Sequence, residues 1–202
     1  SHCGRFAPQN RPLDAAICNN NYMLDTSAYN HIIMSDEKIN IVKKSVSYGF
    51  CYYSTELQDM ELIGKGAKTY NSECISETGY IPPLDFKQKI GVVNKELNVQ
   101  LVPEIASCMR DHSRLDGTVR FLAPDSVEGQ VYKEIVSKNK INGKRPFEFS
   151  YDAMIAEAAI HYGYILISDD KALRDVVNSY FSDRAITTDK LLEIINEYET
   201  DM

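Results

Sequence analysis

Residues 151–170 read YDAMIAEAAIHYGYILISDD, and this stretch gives the strongest indication of the fold. The first part, 151–162, carries small or apolar side chains nearly all round, which predicts a helix pressed closely against a sheet. Gly163 follows, and a glycine just past a helix commonly ends it. The next four residues, 164–167, form a continuous apolar run, which is typical of a strand buried on both faces of a parallel sheet.

Strands and helices alternate along the rest of the chain as well. Three upstream runs are predicted strands: 22–24, 45–53 and 118–123. Downstream, 171–180 is a predicted helix, 185–187 is a short strand, and Thr188 is the predicted cap of a closing helix. Such alternation implies βαβ units, so the predicted fold class is α/β, a three-layer α/β/α sandwich around a parallel sheet.

The composition is that of a folded, water-soluble protein. Of the 202 residues, 44% are hydrophobic and 25% are charged, which is ordinary for a globular domain. No stretch approaches the roughly 18 consecutive apolar residues of a membrane span, so we expect no membrane association. The net charge of −7 counts against a broad nucleic-acid-binding surface. It counts less against a nuclease, because bound cations neutralise catalytic carboxylates.

The cysteines and histidines are arranged against sites built from those residues. The five cysteines are scattered and form no C-x-x-C pair, which argues against a disulfide scaffold or a zinc site and for a reducing, cytoplasmic location. The four histidines are equally dispersed. A metal in this protein would therefore be held by carboxylates, which favour Mg²⁺ or Mn²⁺.

Acidic residues stand where predicted strands give way to helices. Asp25, Glu56 and Asp170 each follow a predicted strand, and Asp152 stands in the first turn of the alanine-rich helix. The carboxyl ends of parallel strands meet at one crevice, so these side chains are expected to converge. Four carboxylates cannot stay together in charged form without a cation. A pair of divalent ions about 3.5–4 Å apart supports phosphodiester hydrolysis.

Each acid also has a purely structural explanation. Asp25 and the pair Asp169-Asp170 stand where a side chain caps a helix. Glu56 and Asp152, in a first helical turn, complement the helix dipole. The joint pattern, rather than any single position, favours a metal site.

Four segments resemble, in order, the four acidic motifs of PIN domains. They are MLDTS (23–27), STEL (54–57), YDAMIA (151–156) and LISDD (166–170). The third is the most specific, because its acid and small residues are followed by Ala-Ala, Gly, an apolar strand and a hydroxyl residue two positions before an Asp. The resemblance covers about 22–198 and is strongest from residue 118 onward.

The resemblance implies an activity and its residues. Many PIN domains are Mg²⁺- or Mn²⁺-dependent endoribonucleases, and the VapC-type ones are toxins held inactive by an antitoxin. A metal-binding, catalytic quartet is implied, namely Asp25, Glu56, Asp152 and Asp170. Thr26 or Ser27, together with Ser168, would orient carboxylates or water. Asp169 is the lesser candidate, because the family's acid stands second after the hydroxyl residue. The implied partners are an RNA substrate, an antitoxin protein and a second copy of the chain.

Two departures from compact PIN toxins shape the predicted domain boundaries. Glu56 and Asp152 are about twice as far apart as usual, which places an insertion at about 65–117 within a domain spanning 22–198. The lead of residues 1–21 forms an N-terminal extension, whereas the first acid of a compact toxin stands almost at its start. Both departures weigh against toxin membership more than against the fold.

Four basic residues precede the Asp152 motif, namely Lys138, Lys140, Lys144 and Arg145. They are predicted to lie in a glycine-containing link, where they are candidates for contacts to a phosphate backbone. Charged loop residues are more often simply solvated.

Two other functions fit parts of the pattern. A haloacid-dehalogenase-like phosphatase also has an Asp after its first strand, but it usually needs a second Asp two residues later, where this chain has Ser27. A PIN fold can also be a binding module with little catalysis in an RNA-processing assembly. The intact quartet argues against that reading, and metal binding without RNA cleavage would favour it.

Overall fold

The structure, a computed structural model, describes most of the chain in separate ranges: 20–56, 58, 62, 74–76, 79–81, 83–106, 119–121, 125–141 and 146–200. The strands in these ranges are β1 (Asn21–Leu24), β2 (Cys51–Ser54), β3 (Cys74–Ser76), β4 (Gly79–Ile81), β5 (Gln100–Leu101), β6 (Glu104–Ala106), β7 (Val119–Phe121), β8 (Ile165–Ile167) and β9 (Ala185–Ile186). The helices are α1 (Thr26–Ile32), α2 (Asp36–Ser47), α3 (Pro83–Glu96), α4 (Val127–Ile141), α5 (Pro146–Tyr162), α6 (Lys171–Tyr180) and α7 (Thr188–Thr200).

A five-stranded sheet in the order β5-β2-β1-β8-β9 forms the centre of the molecule, and every neighbouring pair in it is parallel. Met23 of β1 is in register with Tyr53 on one side and Leu166 on the other. β1 is therefore the central strand, and the residues that follow β1, β2 and β8 emerge at the same edge. The remaining strands form two pairs, an antiparallel one from β3 and β4 and a parallel one from β6 and β7.

Helices cover both faces of the sheet and create two buried clusters. Successive side chains of β1 alternate between them, as the geometry of a strand requires: Tyr22 and Leu24 join one cluster and Met23 the other. The first cluster contains residues of α1, α2, α3 and α7, and the second contains residues of α4, α5 and α6. The architecture is a three-layer α/β/α sandwich, which confirms the predicted fold class.

The alanine-rich helix α5 is buried along its central part. Every residue from Ala153 to Ala159 is buried, and the helix packs against α4, α6, β6 and β8. Small side chains let these neighbours approach closely on several sides. The helix ends at Gly163, whose φ of +74° is the left-handed conformation that glycine adopts readily. The predicted strand at 164–167 follows as β8.

Helix α5 begins five residues earlier than predicted, at Pro146. Proline is well suited to the first position of a helix, because its fixed φ is already helical and it has no amide hydrogen that needs a partner. Asp152 is consequently the seventh residue of α5 rather than part of its first turn. The helix-dipole explanation for this acid is therefore wrong.

The predicted strand at 45–53 is wrong in its first half. Helix α2, capped by Ser35 through a 3.2 Å hydrogen bond from the Lys38 amide, continues to Ser47. Gly49, with φ of +87°, then turns the chain into β2. The alternation of apolar and polar residues that suggested a strand spans the last helical turn and the following turn.

The predicted basic link is partly helical. Lys138 and Lys140 belong to α4, and the Lys138 Nζ lies 3.1 Å from Glu134 Oε1 one turn earlier. Lys144 and Arg145 lie outside the described residues. The structure therefore does not place the four basic residues together in one loop.

Part of the stretch expected as an insertion, 65–117, contributes residues to the first buried cluster and a strand to the central sheet. Phe86, Ile90 and Val93 of α3 belong to the first buried cluster, and β5 pairs with β2 at one border of the sheet. Residues 1–19 of the expected N-terminal extension lie outside the described residues. Among those that are described, no helix combines the length and apolar character that crossing a membrane requires.

Candidate metal centre

Asp25 leaves the central strand directly into the middle of the carboxyl edge of the sheet. Its backbone N–H donates to the Ile167 carbonyl at 2.9 Å, which extends the pairing of β1 with β8 by one residue. Its side chain is almost fully buried, with the residue only 4% exposed. A buried carboxylate requires polar partners, because desolvation disfavours its charged form.

Two serine hydroxyls supply those partners. Ser27 Oγ and Ser168 Oγ each donate to Asp25 Oδ2 at 2.8 Å. The two hydroxyl oxygens are 3.4 Å apart, although 141 residues separate them in sequence. The prediction left the choice between Thr26 and Ser27 open, and the structure places the Ser27 hydroxyl on the carboxylate. With two hydroxyls on one oxygen, the orientation of the Asp25 side chain is fixed.

Burial raises the pKa of the Asp25 carboxyl above its usual range, and the negative charge of nearby Asp170 raises it further. The hydrogen bonds from Ser27, Ser168 and the Thr26 backbone act in the opposite direction but do not cancel the effect of burial. In the absence of a cation, this site therefore opposes the charged form of Asp25. A bound cation would favour that charged form.

Asp170 caps a helix, as an aspartate directly before a helix often does. It is the N-cap of α6, and its Oδ1 accepts hydrogen bonds from the amides of Ala172 at 2.8 Å and Leu173 at 3.2 Å. Its own amide donates to Ser168 Oγ at 3.2 Å. The cap fixes one carboxylate oxygen at the start of α6, and the Asp170 charge still acts on Asp25.

Asp169 is directed towards α1 and α7 rather than towards Asp25. Its Oδ1 accepts from the Thr188 amide at 3.0 Å, and its Oδ2 accepts from Thr188 Oγ1 at 2.9 Å. His31 Nδ1 lies 2.8 Å from the same Oδ2, and His31 Nε2 lies 3.2 Å from Asp189 Oδ1. The Asp169 amide donates to Ser27 Oγ at 2.9 Å. Asp169 thus connects the site to the start of α7. The cap of this helix is Thr187 and not the predicted Thr188, because Thr187 Oγ1 accepts a hydrogen bond from the Lys190 amide.

The other two acids of the predicted quartet are less buried than Asp25. Asp152 is half-buried on α5. Glu56 is an exposed helical residue just beyond β2, and it lines a small cavity with four neighbours: Leu101, Val102, Pro103 and Glu104. Among the described residues, no three His, Cys, Asp or Glu side chains are grouped closely enough to enclose a metal ion.

The residues at this edge suit a hard cation in their chemistry. Carboxylate oxygens are the ligands that Mg²⁺ and Mn²⁺ prefer. Asp25 and Asp170 follow adjacent strands and are close enough for the charge of one to raise the pKa of the other. A cation between them would relieve that repulsion and would need further ligands, for which the sequence offers Asp152 and Glu56.

Sequence reasoning missed three residues at this edge. Gln58 is fully buried and contacts both Leu24 and Thr55, although its spacing from Thr55 is a capping-box signal that the sequence does contain. Arg174 Nη1 donates to the Ser168 carbonyl at 2.8 Å. His31 contacts Asp169 across 138 residues of sequence, and no local pattern indicates such a contact.

Comparison with known proteins gives a likeness in shape alone. No family model matches the chain, and no curated protein matches it. The crystal structure of PAE2754 from Pyrobaculum aerophilum is similar over 88% of this chain and 90% of its own, with a TM-score of 0.45 and 17% sequence identity.

Proposed function

We propose that this protein is a divalent-metal-dependent endoribonuclease whose cation binds at the carboxyl edge of the sheet. The observation that carries the proposal is the placement of Asp25. It is a buried carboxylate at the end of the central strand, held by two serine hydroxyls, with a second acid at the end of the adjacent strand. The four acidic motifs that resemble those of PIN domains give the proposal its reaction and substrate.

In the proposed mechanism Asp25 and Asp170 would hold the cation, and Asp152 and Glu56 would complete the set of ligands. A bound Mg²⁺ or Mn²⁺ would supply Lewis-acid activation of water and charge neutralisation at the scissile phosphate. Ser27 and Ser168 hold Asp25 in one orientation, so its geometry is in place before the cation arrives. The capping bonds of Asp170 to α6 fix that carboxylate in the same way.

The proposed partners follow from the same resemblance. RNA is the proposed substrate, with Lys138 and Lys140 of α4 and the basic pair Lys144-Arg145 as candidate phosphate contacts. An antitoxin protein and a second copy of the chain are the proposed protein partners. The proposed location is the cytoplasm, because the scattered cysteines of the sequence form no C-x-x-C pair and favour a reducing compartment.

The test is cleavage of a mixed set of structured and single-stranded RNAs with Mn²⁺. We expect the wild type to cleave at least one of them and Asp25→Asn to be slower by roughly three orders of magnitude or more, which is the scale of removing an essential catalytic group. Excess EDTA should abolish cleavage by the wild type. The matched control is Asp175→Asn, since Asp175 is an exposed acid of α6 paired with Lys171 at 2.6 Å.

Cleavage that persists in EDTA, or that survives Asp25→Asn, would refute the metal mechanism. Mn²⁺ binding without cleavage of any RNA would instead favour a binding module with a PIN-like fold. Mn²⁺ titration of the wild type and of Asp25→Asn separates that outcome from a protein that binds no metal.

A further inference from the structure

The buried side chain of Gln58 connects the ends of two strands. Its Nε2 donates to the carbonyl oxygen of Leu24, the last residue of β1. Its Oε1 accepts from the Thr55 amide and, at 2.8 Å, from Thr55 Oγ1. Gln58 itself is 0% exposed, so water does not replace these bonds.

Half of this arrangement is a familiar helix start. Thr55 precedes the helical residue Glu56, and Thr-x-x-Gln is a capping box in which the glutamine reaches back to the amide of the capping residue. The capping box explains the bond that Oε1 accepts from the Thr55 amide. It does not explain the bond from Nε2 to Leu24, which lies 34 residues away on the neighbouring strand.

Gln58 lies where a backbone hydrogen bond between β1 and β2 is missing. The Cys51 amide donates to the Asn20 carbonyl at 2.7 Å, and such bonds between parallel strands recur every two residues. Counting four residues along each strand predicts a direct bond from the Thr55 amide to the Leu24 carbonyl. Both of these groups are bonded to the Gln58 amide instead. The side chain therefore stands between the two strands where they would otherwise pair.

We propose that Gln58 is a positioning residue, an amide spacer that ends the pairing of β1 with β2 and sets the distance between their carboxyl ends. One hydrogen bond is replaced by two with an amide between them, so the strand ends stand further apart. Asp25 directly follows Leu24, and Glu56 directly follows Thr55. The spacer thus fixes where these two carboxylates stand relative to each other. This role rests on the proposed function, in which both acids serve one cation.

The test compares Gln58→Met, which keeps the length of the side chain but removes its polar atoms, with Tyr53→Phe. Tyr53 Oη donates to Asn21 Oδ1 at 3.2 Å, so the control loses a bond between the same two strands that is made at the first residue of β1. We expect Gln58→Met to weaken Mn²⁺ binding by about 10–100-fold, as loss of support around a metal ligand usually does. Tyr53→Phe should bind Mn²⁺ like the wild type.

A second variant protects the test against failure to fold. Gln58→Asn keeps the polar amide but shortens the side chain by one methylene, so it cannot bond both the Thr55 amide and the Leu24 carbonyl. It should also weaken Mn²⁺ binding. Wild-type Mn²⁺ affinity in either folded variant would overturn the inference and leave the proposed function standing.

Failure of the proposed function has a different signature, because the wild type itself would then bind no Mn²⁺, or would bind it without cleaving RNA. The spacer can still be judged from a crystal structure of Gln58→Met. A direct bond from the Thr55 amide to the Leu24 carbonyl, with the strand ends closer together, supports it. Unchanged strand ends refute it.

Discussion

The ends of β1 and β8 carry the same residue type in the same local setting and use it differently. Each strand is followed within three residues by an aspartate that stands at the N-cap of a helix. Asp170 caps α6 through two backbone amides. Asp25 makes no capping bond to α1, and two serine hydroxyls hold its carboxylate instead.

The position of an acid directly before a helix therefore does not establish whether its side chain caps that helix. Asp25 follows the central strand, so neighbouring strands surround it and bury it. Asp170 is partly exposed, and α6 supplies its partners. The structural explanation offered for both acids is thus confirmed for Asp170 and wrong for Asp25.

Of the substitutions at these two strand ends, replacing Asp25 should have the largest effect, because the Asp25 carboxylate is the buried one. We expect metal-free Asp25→Asn to be more stable than the wild type at neutral pH, since neither burial nor Asp170 then opposes a charge. The pKa of Asp25 is raised above its ordinary value of 3.8. The wild type should therefore lose stability as pH rises from 3.8 through the pKa of the folded state, and the variant should lack that loss.

Urea unfolding of both proteins between pH 3 and pH 8, without metal, measures this effect. Asp175→Asn is the control, because Lys171 lowers the pKa of this exposed acid and its removal should bring no gain. Stability curves that run parallel for wild type and Asp25→Asn would contradict the expectation.

Replacing Ser168 should have the next largest effect. Ser168→Ala removes one of the two hydroxyls that orient Asp25, and we expect cleavage in Mn²⁺ to slow by about 10–100-fold. The lost hydrogen bond also raises the pKa of Asp25 further, so the rising limb of the pH–rate profile should move to higher pH.

Cleavage rates from pH 5 to pH 9 measure both changes. Ser168→Thr should restore the rate, because it keeps the hydroxyl. Ser179→Ala is the control, since Ser179 Oγ bonds only the Val176 carbonyl of its own helix among the contacts described. A wild-type rate in Ser168→Ala would show that this hydroxyl does not support catalysis.

Replacing Asp170 should have the smallest effect on the free energy of unfolding. Two substitutions at this position distinguish the helix cap from the negative charge. Asp170→Ala removes the cap of α6 and should cost about 1 kcal/mol in the free energy of unfolding. Asp170→Asn keeps a capping oxygen and should cost only a few tenths. If the charge holds a cation, cleavage should fall equally in both variants. Cleavage that tracks stability instead would leave Asp170 with its structural role alone.

The sequence predicted much of the fold from short-range patterns. The apolar run at 164–167 and the alanine-rich stretch before it indicated a strand and a helix buried on several sides, and β8 and α5 match them. The prediction at 45–53 was wrong in its first half, because alternation also arises where a helix ends and a strand follows. The helix start at 151 was late because Pro146 was assigned to a link.

The candidate site was predictable wherever its residues follow a strand. Asp25, Ser27 and Ser168 were candidates from their motifs, and the structure brings them within hydrogen-bonding distance of one another. Gln58 and His31 were missed, since the contacts of Gln58 with Leu24 and of His31 with Asp169 cross elements far apart in sequence. The prediction that all four acids bind metal stays a prediction.

The sequence alone indicated the buried strand at 164–167 and the alanine-rich helix before it, because apolar periodicity and a helix-ending glycine act locally. Only the tertiary structure decided that Asp25 is buried under two hydroxyls while Asp170 caps a helix. The physical reason is that desolvation and hydrogen bonding depend on the neighbours that the sheet order brings together. For Asp25 one of those neighbours, Ser168, lies 143 residues away.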